Sequence, residues 1–190
     1  MNVLSTMGDG IVETSQGRIR GVLKDGVFSI KGAPSSEGAG RFMPPKALEH
    51  WTGVRDAFEF GDRAPQNDRA GAPANEWIRS DAPRSENCLS LNVFTTGAGD
   101  AATRPVMVYL HGGGYHAGSG DAPGIDGSIL AKKGDVVVVT VNHRLGVFGF
   151  CHFDVENDNS FAASGNVGML DIVTALEWVR DNIAAFGGDA

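Results

Sequence analysis

Three successive glycines between two histidines, in the stretch HGGGYH at 111–116, are the residues of this chain best suited to chemistry. The glycines leave the turn without side chains, so backbone N–H groups are free to point at a bound oxygen anion. Donors fixed in this way stabilise negative charge as it develops on a reacting oxygen. The pattern predicts an anion site, with a sharp structural turn as the plain alternative.

Two apolar runs predict the strands that position this turn. The run VMVYL at 106–110 leads directly into the glycines, and its unbroken apolar character predicts a strand buried on both faces. The run VVVVTV at 136–141 predicts a central parallel strand, also covered on both faces. With the helix that ends the chain, they indicate an α/β protein whose sheet is mostly parallel behind an antiparallel start.

The clearest helix lies near the end of the sequence, between a predicted N-cap at Asn166 and a glycine stop at Gly187. One apolar stripe is predicted to be buried, with Asp171 among the residues of the opposite, solvated face. The stripe consists of Met169, Ile172, Val173, Leu176, Val179 or Arg180, Ile183 and Phe186.

The remaining segments are less regular. An antiparallel meander is predicted over 11–30, with a hairpin at Asp25-Gly26, and a further strand over 88–95. A short helical piece is expected around 129–133 and an aromatic loop over 146–153. The stretch 32–85 is rich in Gly, Pro, Ala and Asp, which predicts a long irregular excursion able to cover a pocket.

Composition limits the classes of partner. The 190 residues are 42% hydrophobic and carry a net charge of −7, with a pI near 5.1, which disfavours binding to nucleic acid or to an acidic membrane surface. No signal peptide or membrane span is recognisable, so a cytoplasmic protein is expected. Cys88 and Cys151 lack CxxC spacing and are predicted to be free thiols.

Nucleotide sites fit the glycine turn poorly. The stretch from Gly112 to Ala117 formally matches a GxGxxA dinucleotide pattern, but it continues as GSGDAPGIDG, which cannot form the required helix. No acidic residue ends the strand over 136–141. A phosphate-binding P-loop is excluded because no Gly-Lys-Ser/Thr follows.

Seven segments in order carry a resemblance to a known family: GRIRG, RFMPP, WTGVRDA, SENCLSLNVF, PVMVYLHGGGYHAGSG, VVVVTVNHRLGVFGF and SGNVGMLDIVTALEWVRDNIAAFGGD. On these segments the chain resembles the type-B carboxylesterases, the α/β-hydrolases that include bacterial p-nitrobenzyl esterases, cholinesterases and the non-catalytic neuroligins. The resemblance covers nearly the whole chain. It implies the α/β-hydrolase fold, with residues 1–190 as the N-terminal part of a single domain.

The resemblance also implies a chemistry, the hydrolysis of a small carboxylic ester, with no cofactor. It assigns the N–H groups of Gly113 and Gly114 to the oxyanion hole, which holds the carbonyl oxygen as it turns tetrahedral. It makes His111 a structural residue, and Tyr115 and His116 residues of the acyl pocket or its rim. His50, His143 and His152 show no metal-ligand spacing, so no metal is expected.

Structural charges follow from the same resemblance. Arg41 and Arg144 are expected to pair with Glu86 and its neighbour, which here is Asn87, so one buried ion pair is expected to be replaced by a hydrogen bond at best. The family's GIPYA segment is reduced to GAPSS. Where cholinesterases carry a cysteine that pairs with the equivalent of Cys88, this chain has Ala64, so Cys88 is expected to be free and buried.

The sequence has no GxSxG nucleophile elbow. In the family this elbow follows roughly ten residues beyond FGGD, on a strand next to the one that precedes the glycines. We therefore expect the 190 residues to be the N-terminal part of an esterase, inactive alone, whose remainder is a second chain or was separated from it. A neuroligin-like binding module of the same fold is the alternative function.

Overall fold

The first strands of the chain form hairpins, as predicted. The structure, a computed structural model, describes residues 10–37, 40–67, 73–100, 102–156 and 159–190. Asp25 and Gly26 both have positive φ, 52° and 81°, which suits the tight turn of a two-residue hairpin. The strands that this region contributes are β1 (Ile11–Glu13), β2 (Arg18–Arg20), β3 (Val22–Lys24) and β4 (Val27–Pro34).

Within the described residues, five strands form the main sheet, and most of its pairings are antiparallel. Four further strands follow β4: β5 (Val54–Asp56), β6 (Ser90–Thr95), β7 (Val106–Leu110) and β8 (Val137–Val141). The main sheet has the order β3-β4-β6-β8-β7, while β1, β2 and β5 form a smaller sheet. Within the main sheet, the pairing of β7 with β8 is parallel and the other three are antiparallel. The antiparallel start and the parallel pairing of β7 with β8 are therefore as predicted, whereas the sheet as a whole is not mostly parallel within the described residues.

The central strand β8 is buried on both faces, as predicted. Val137, Val139 and Val141 face the core under the C-terminal helix, whereas Val138 faces a second cluster with Phe94 and Ala131. Both faces of β8 are apolar because helices cover the sheet from both sides. This explains why the run over 136–141 shows no alternation.

Strand β7 differs from its prediction, because its side chains are largely accessible. Met107, Tyr109 and Leu110 are 48%, 38% and 45% exposed. The cause is position, since β7 is the last strand of the described sheet and pairs along its length with β8 alone. Just before β7, the C-terminal end of the chain lies beside Arg104. The N–H of Arg104 donates to Gly187 O, and the N–H of Asp189 donates to Arg104 O.

Three α-helices complete the described fold: α1 (Ser128–Gly134), α2 (Gly146–Phe150) and α3 (Val167–Asn182). Helix α1 confirms the predicted helical piece, whereas α2 stands where an aromatic loop was expected. Asn166 occupies the N-cap position of α3 but makes no side-chain capping bond. Beyond α3 a short 3-10 helix (Ile183–Phe186) ends at Gly187, which adopts the left-handed conformation expected of a helix stop.

The buried face of α3 is rotated from the predicted one. Ile172 and Val179 are buried as expected, but Val173 and Leu176 are 48% and 43% exposed, and Asp171, expected on the solvated face, is 1% exposed. The face that packs on the sheet includes Ala175 and Trp178 instead. On this buried face Asp171 forms an ion pair, described below.

Within its described residues, the excursion over 32–85 is irregular, as predicted, apart from the end of β4, strand β5 and a 3-10 helix (Pro73–Ile78). It packs against the body of the chain, since Ala64 lies in one buried cluster with Cys88, Leu89 and Leu145. Both cysteines are free, and burial raises the pKa of the Cys88 thiol to about 12. No helix in the described ranges is long and apolar enough to cross a membrane.

Candidate active site

The residues at 111–118, here called the glycine loop, follow β7 directly and have an unusual backbone. Gly113, Gly114 and Tyr115 have φ values of 127°, 61° and 60°, three positive angles in succession. A Cβ at Gly113 would overlap the carbonyl of Ala117, whereas a Cβ at Gly114 would meet mostly open space. The turn is closed by the N–H of His116, which donates to Gly113 O at 3.2 Å. Glycine is thus required at 113 by both conformation and contact.

The N–H groups of Gly113 and Gly114 have no hydrogen-bond acceptor within the part of the chain that the structure describes. Gly114 is exposed and Gly113 half-buried. Backbone donors that are neither paired nor covered are available to a ligand, and two successive donors in a tight turn favour an anionic oxygen. This arrangement suits the stabilisation of a developing oxyanion.

His111 and His143 form a stacked pair next to the backbone of the glycine loop. Their rings stack at 4.8 Å between centroids, nearly parallel. Nδ1 of His111 lies 3.0 Å from Gly112 O, and Nδ1 of His143 lies 2.9 Å from Arg144 O. Because carbonyl oxygens only accept, both Nδ1 atoms carry the proton. The structural role that the resemblance implies for His111 stays a prediction.

Burial sets the protonation state of this pair. It lowers the pKa of His111 from 6.5 to about 4, and it also lowers the pKa of His143. Both imidazoles are therefore neutral at pH 7, which avoids placing two positive charges in one stack.

Acidification is expected to weaken the fold through His111. Between pH 6.5 and about 4 the unfolded chain binds a proton that the folded chain does not. The free energy of unfolding should therefore fall as the pH drops through this range. Above pH 6.5 the neutral His111 should no longer make stability depend on pH. His111→Phe keeps a stacked ring without a titrating nitrogen, so its urea midpoint should depend less on pH than that of the parent. His50→Gln, at an exposed position, serves as control, and equal pH dependence in parent and His111→Phe would contradict the expectation.

Side-chain amides fix the far end of the glycine loop, and the sequence did not reveal them. Asn142 Oδ1 accepts from the N–H of Gly120 at 2.6 Å. Gly120 O accepts from Thr140 Oγ1 at 2.7 Å and from Asn92 Nδ2 at 3.3 Å. Gln66 binds both backbone groups of Gly118. The detectable signals were Thr140 within the otherwise apolar β8 and Asn92 between the apolar residues Leu91 and Val93 of β6.

Ser119 belongs to this support and not to the reactive groups. It is 2% exposed, and its hydroxyl bonds to Asp121 Oδ1. Asp121 also accepts from Ser80 Oγ at 2.6 Å. A serine buried and engaged in this way has no path to a substrate, in line with the absence of a nucleophile elbow around it.

Tyr115 and His116 are both exposed at the glycine loop but face different surroundings. His116 lines a cleft of about 560 Å³ together with Gln66, Leu145, Val147 and Phe148. Tyr115 packs against Phe150, with ring centroids 4.9 Å apart, and its carbonyl accepts from the N–H of Gly146 at 2.7 Å. Their assignment to an acyl pocket stays a prediction.

The expected contact between Arg41 and Glu86 is present at the surface. Arg41 Nη2 lies 2.6 Å from Glu86 Oε1, and Nε lies 2.7 Å from Oε2. The hydrogen bond from Arg41 lowers the pKa of the Glu86 carboxyl. Because both groups are accessible to water, such a pair contributes little to stability.

Arg144 does not follow the expectation, because it pairs with Asp171 of α3. Arg144 Nη2 lies 2.6 Å from Asp171 Oδ1 and Nε lies 2.8 Å from Oδ2, while the backbone N–H of Arg144 also donates to Oδ2. Both side chains are buried. A buried ion pair is therefore present, and it uses a helix carboxylate in place of the residue next to Glu86, where Asn87 stands exposed.

No group of three or more His, Cys, Asp or Glu side chains in the described ranges is arranged to hold a metal ion.

Esterases and neuroligins are among the known proteins similar to this chain. The chain is 44% identical over 183 residues to the para-nitrobenzyl esterase of Bacillus subtilis (strain 168), covering 94% of this chain and 36% of that protein. It is 36% identical to neuroligin-2 of Mus musculus, covering 94% of this chain and 26% of that protein.

A solved structure shows the same fold. The carboxylesterase EST55 of Geobacillus stearothermophilus matches with a TM-score of 0.83 and 46% identity over 95% of this chain and 36% of that one. The chain thus has an α/β-hydrolase fold and spans about a third of the length of such relatives. The profile of the carboxylesterase family matches residues 8–190, and the chain therefore belongs to the carboxylesterase family.

Proposed function

We propose that this protein hydrolyses carboxylic esters through a serine acyl-enzyme and that the N–H groups of Gly113 and Gly114 form its oxyanion hole. The observation that supports this is the pair of N–H groups without an acceptor among the described residues, in a turn that is closed by the N–H of His116 and fixed on its C-terminal side by Gln66 and Asn142. Family membership fits the same chemistry, since the para-nitrobenzyl esterase relative is named for an ester substrate.

The reaction needs an activated serine and a place for negative charge. The serine oxygen attacks the ester carbonyl while a histidine accepts its proton, and the carbonyl oxygen becomes an oxyanion bound by Gly113 and Gly114. Collapse breaks the bond to the alcohol oxygen, which leaves with the proton from histidine. Water then attacks the acyl-enzyme in the same way, releasing the acid and restoring the serine.

The serine, the histidine and the acid of this triad are proposed to come from polypeptide outside the 190 residues. Two features of β7 support this: its exposed apolar side chains, and the chain that begins to pair beside Arg104. A strand placed there would cover Met107 and Leu110 and would bring its carboxyl end next to the glycine loop. The 190 residues alone are accordingly proposed to be inactive.

The experiment compares the 190-residue chain with the assembled protein, meaning residues 1–190 together with the polypeptide that supplies the serine. The assembled protein should hydrolyse p-nitrophenyl acetate and should be labelled covalently by a fluorophosphonate, which reacts with activated serines. The 190-residue chain should do neither. Turnover by the chain alone would contradict the proposed origin of the serine.

A binding module is the second candidate, because neuroligin-2 is 36% identical over the same region. The two candidates differ in whether an activated serine is present. An assembled protein that neither turns over p-nitrophenyl acetate nor takes the fluorophosphonate label would overturn the esterase proposal and favour the binding module.

A further inference from the structure

We propose that Gln66 is a positioning residue of the glycine loop, which acts by fixing the backbone of Gly118; its effect on catalysis rests on the proposed esterase function. Gln66 lies in the irregular excursion, 52 residues before Gly118. Gln66 Nε2 donates to Gly118 O at 2.9 Å, and the N–H of Gly118 donates to Gln66 Oε1 at 2.9 Å. One planar amide thus binds both polar groups of one loop residue, which fixes orientation as well as distance.

Gln66 is itself held in place, so it can act as a fixed support. Its Nε2 also donates to Ala64 O at 3.1 Å, and its backbone carbonyl accepts from Arg84 Nη1 at 3.0 Å. Ala64 is 2% exposed and packs beside Cys88. The two hydrogen bonds between Gln66 and Gly118, here called the clamp, therefore connect the glycine loop to a buried cluster in the body of the domain.

Gly118 is the residue where the glycine loop closes on its own beginning. A Cβ at Gly118 would overlap both Gly112 O and the ring of His111, and its φ is 118°. Next to it, Ala117 O packs against Gly113 so closely that a Cβ there would overlap it. A displacement of Gly118 would therefore be transmitted to Gly113, whose N–H is a proposed oxyanion donor, because close-packed atoms leave no space to absorb it.

Gln66 is the anchor of this loop best suited to a test. Asn142, which binds Gly120, is 4% exposed and bonded on several sides, so its removal would disturb the core. Gln66 is half-buried at the edge of the cleft. Its variants are expected to fold.

Gln66→Met removes both bonds to Gly118 at similar side-chain length. In the assembled protein, kcat for p-nitrophenyl acetate should fall about 10- to 100-fold with KM changed less than about threefold, because misplaced donors weaken transition-state binding more than substrate binding. Gln16→Met, a matched change at the other glutamine, whose buried side-chain oxygen has no partner in the described part of the chain, should leave kcat within about twofold. Parental kcat in Gln66→Met, or equal losses in both variants, would overturn the proposal.

Gln66→Glu separates positioning from a merely structural role. Its carboxylate can accept from the N–H of Gly118 but has no proton for Gly118 O or Ala64 O, and these carbonyls raise the pKa of the new carboxyl. Protonation restores a donor with nearly the geometry of glutamine. The ratio of variant to parental kcat should rise about tenfold between about pH 7.5 and about pH 5. A ratio that does not change with pH would overturn the proposal.

Hydrogen exchange of the loop's backbone amides tests the hydrogen bonds between Gln66 and Gly118 independently of catalytic activity. In Gln66→Met, the hydrogen-bonded backbone amides of His116 and Gly118 should exchange about tenfold faster than in the parent, whereas Gln16→Met should not change them. If the parent hydrolyses no ester, the proposed function fails, and the exchange result alone decides whether Gln66 fixes the loop. Unchanged exchange of both amides in Gln66→Met would overturn the proposal.

Discussion

Replacing Gly113 with alanine is expected to lower kcat/KM for ester hydrolysis by about 10²- to 10³-fold, the usual cost of losing one oxyanion donor. A Cβ at this position would overlap Ala117 O, and the backbone φ of 127° is one that alanine rarely adopts. The peptide must rotate to relieve both problems, which moves the N–H away from the carbonyl oxygen. The measurement is p-nitrophenyl acetate turnover by the assembled protein.

The two neighbouring glycines provide a control, Gly112→Ala, and a second test of the oxyanion hole, Gly114→Val. Gly112 has an ordinary φ and open space around a would-be Cβ, so Gly112→Ala should keep its rate within about threefold. Gly114→Val places a β-branched residue at a φ of 61°, which is strained, and should also lose rate. Full rates in both Gly113→Ala and Gly114→Val would show that the oxyanion assignment is wrong. Melting temperatures near that of the parent would show that the losses are local.

Local sequence signals were sufficient for the elements whose structure depends on near neighbours. Asp25-Gly26 predicted its hairpin because both residues adopt positive φ at low cost. The β-branched run of β8 predicted a central strand because few other positions accept apolar side chains on both faces. Asn166 and Gly187 correctly predicted the two ends of the helical segment, although α3 itself ends at Asn182 and a 3-10 helix completes the segment up to Gly187, where the left-handed conformation of glycine stops it.

Features that depend on distant partners could not be predicted. Periodicity identified α3 but placed Asp171 on its solvated face, since nothing near it in sequence indicates that Arg144, 27 residues earlier, neutralises it in the core. β7 has the composition of a buried strand, and its exposure depends on which strands lie beside it. Gln66 stands alone in an irregular segment without periodicity or motif, so its contact with Gly118 could not be inferred.

Asp171→Asn is expected to have the largest effect on stability, a loss of about 3–5 kcal/mol in the free energy of unfolding, because it leaves the Arg144 guanidinium buried without a counter-charge. The carboxylate also accepts from the Arg144 backbone N–H. Its loss should therefore loosen the segment that carries His143 beneath the glycine loop. Urea denaturation of parent and variant at pH 7 measures the change.

Two further variants isolate the cause of this loss. Asp181→Asn makes the same chemical change on the same helix, where Asp181 is accessible and forms a surface pair with Arg180, so it should leave the urea midpoint unchanged. The double variant Arg144→Met, Asp171→Leu removes both charges and should recover part of the loss, because no unpaired charge stays buried, whereas the N–H of residue 144 and the carbonyl of Met43 still lose their partners. If Asp171→Asn unfolded at the parental urea concentration, the pair would not be what holds Asp171 in the core. The rotated face of α3 would then have to arise from the packing of Ala175 and Trp178 on the sheet.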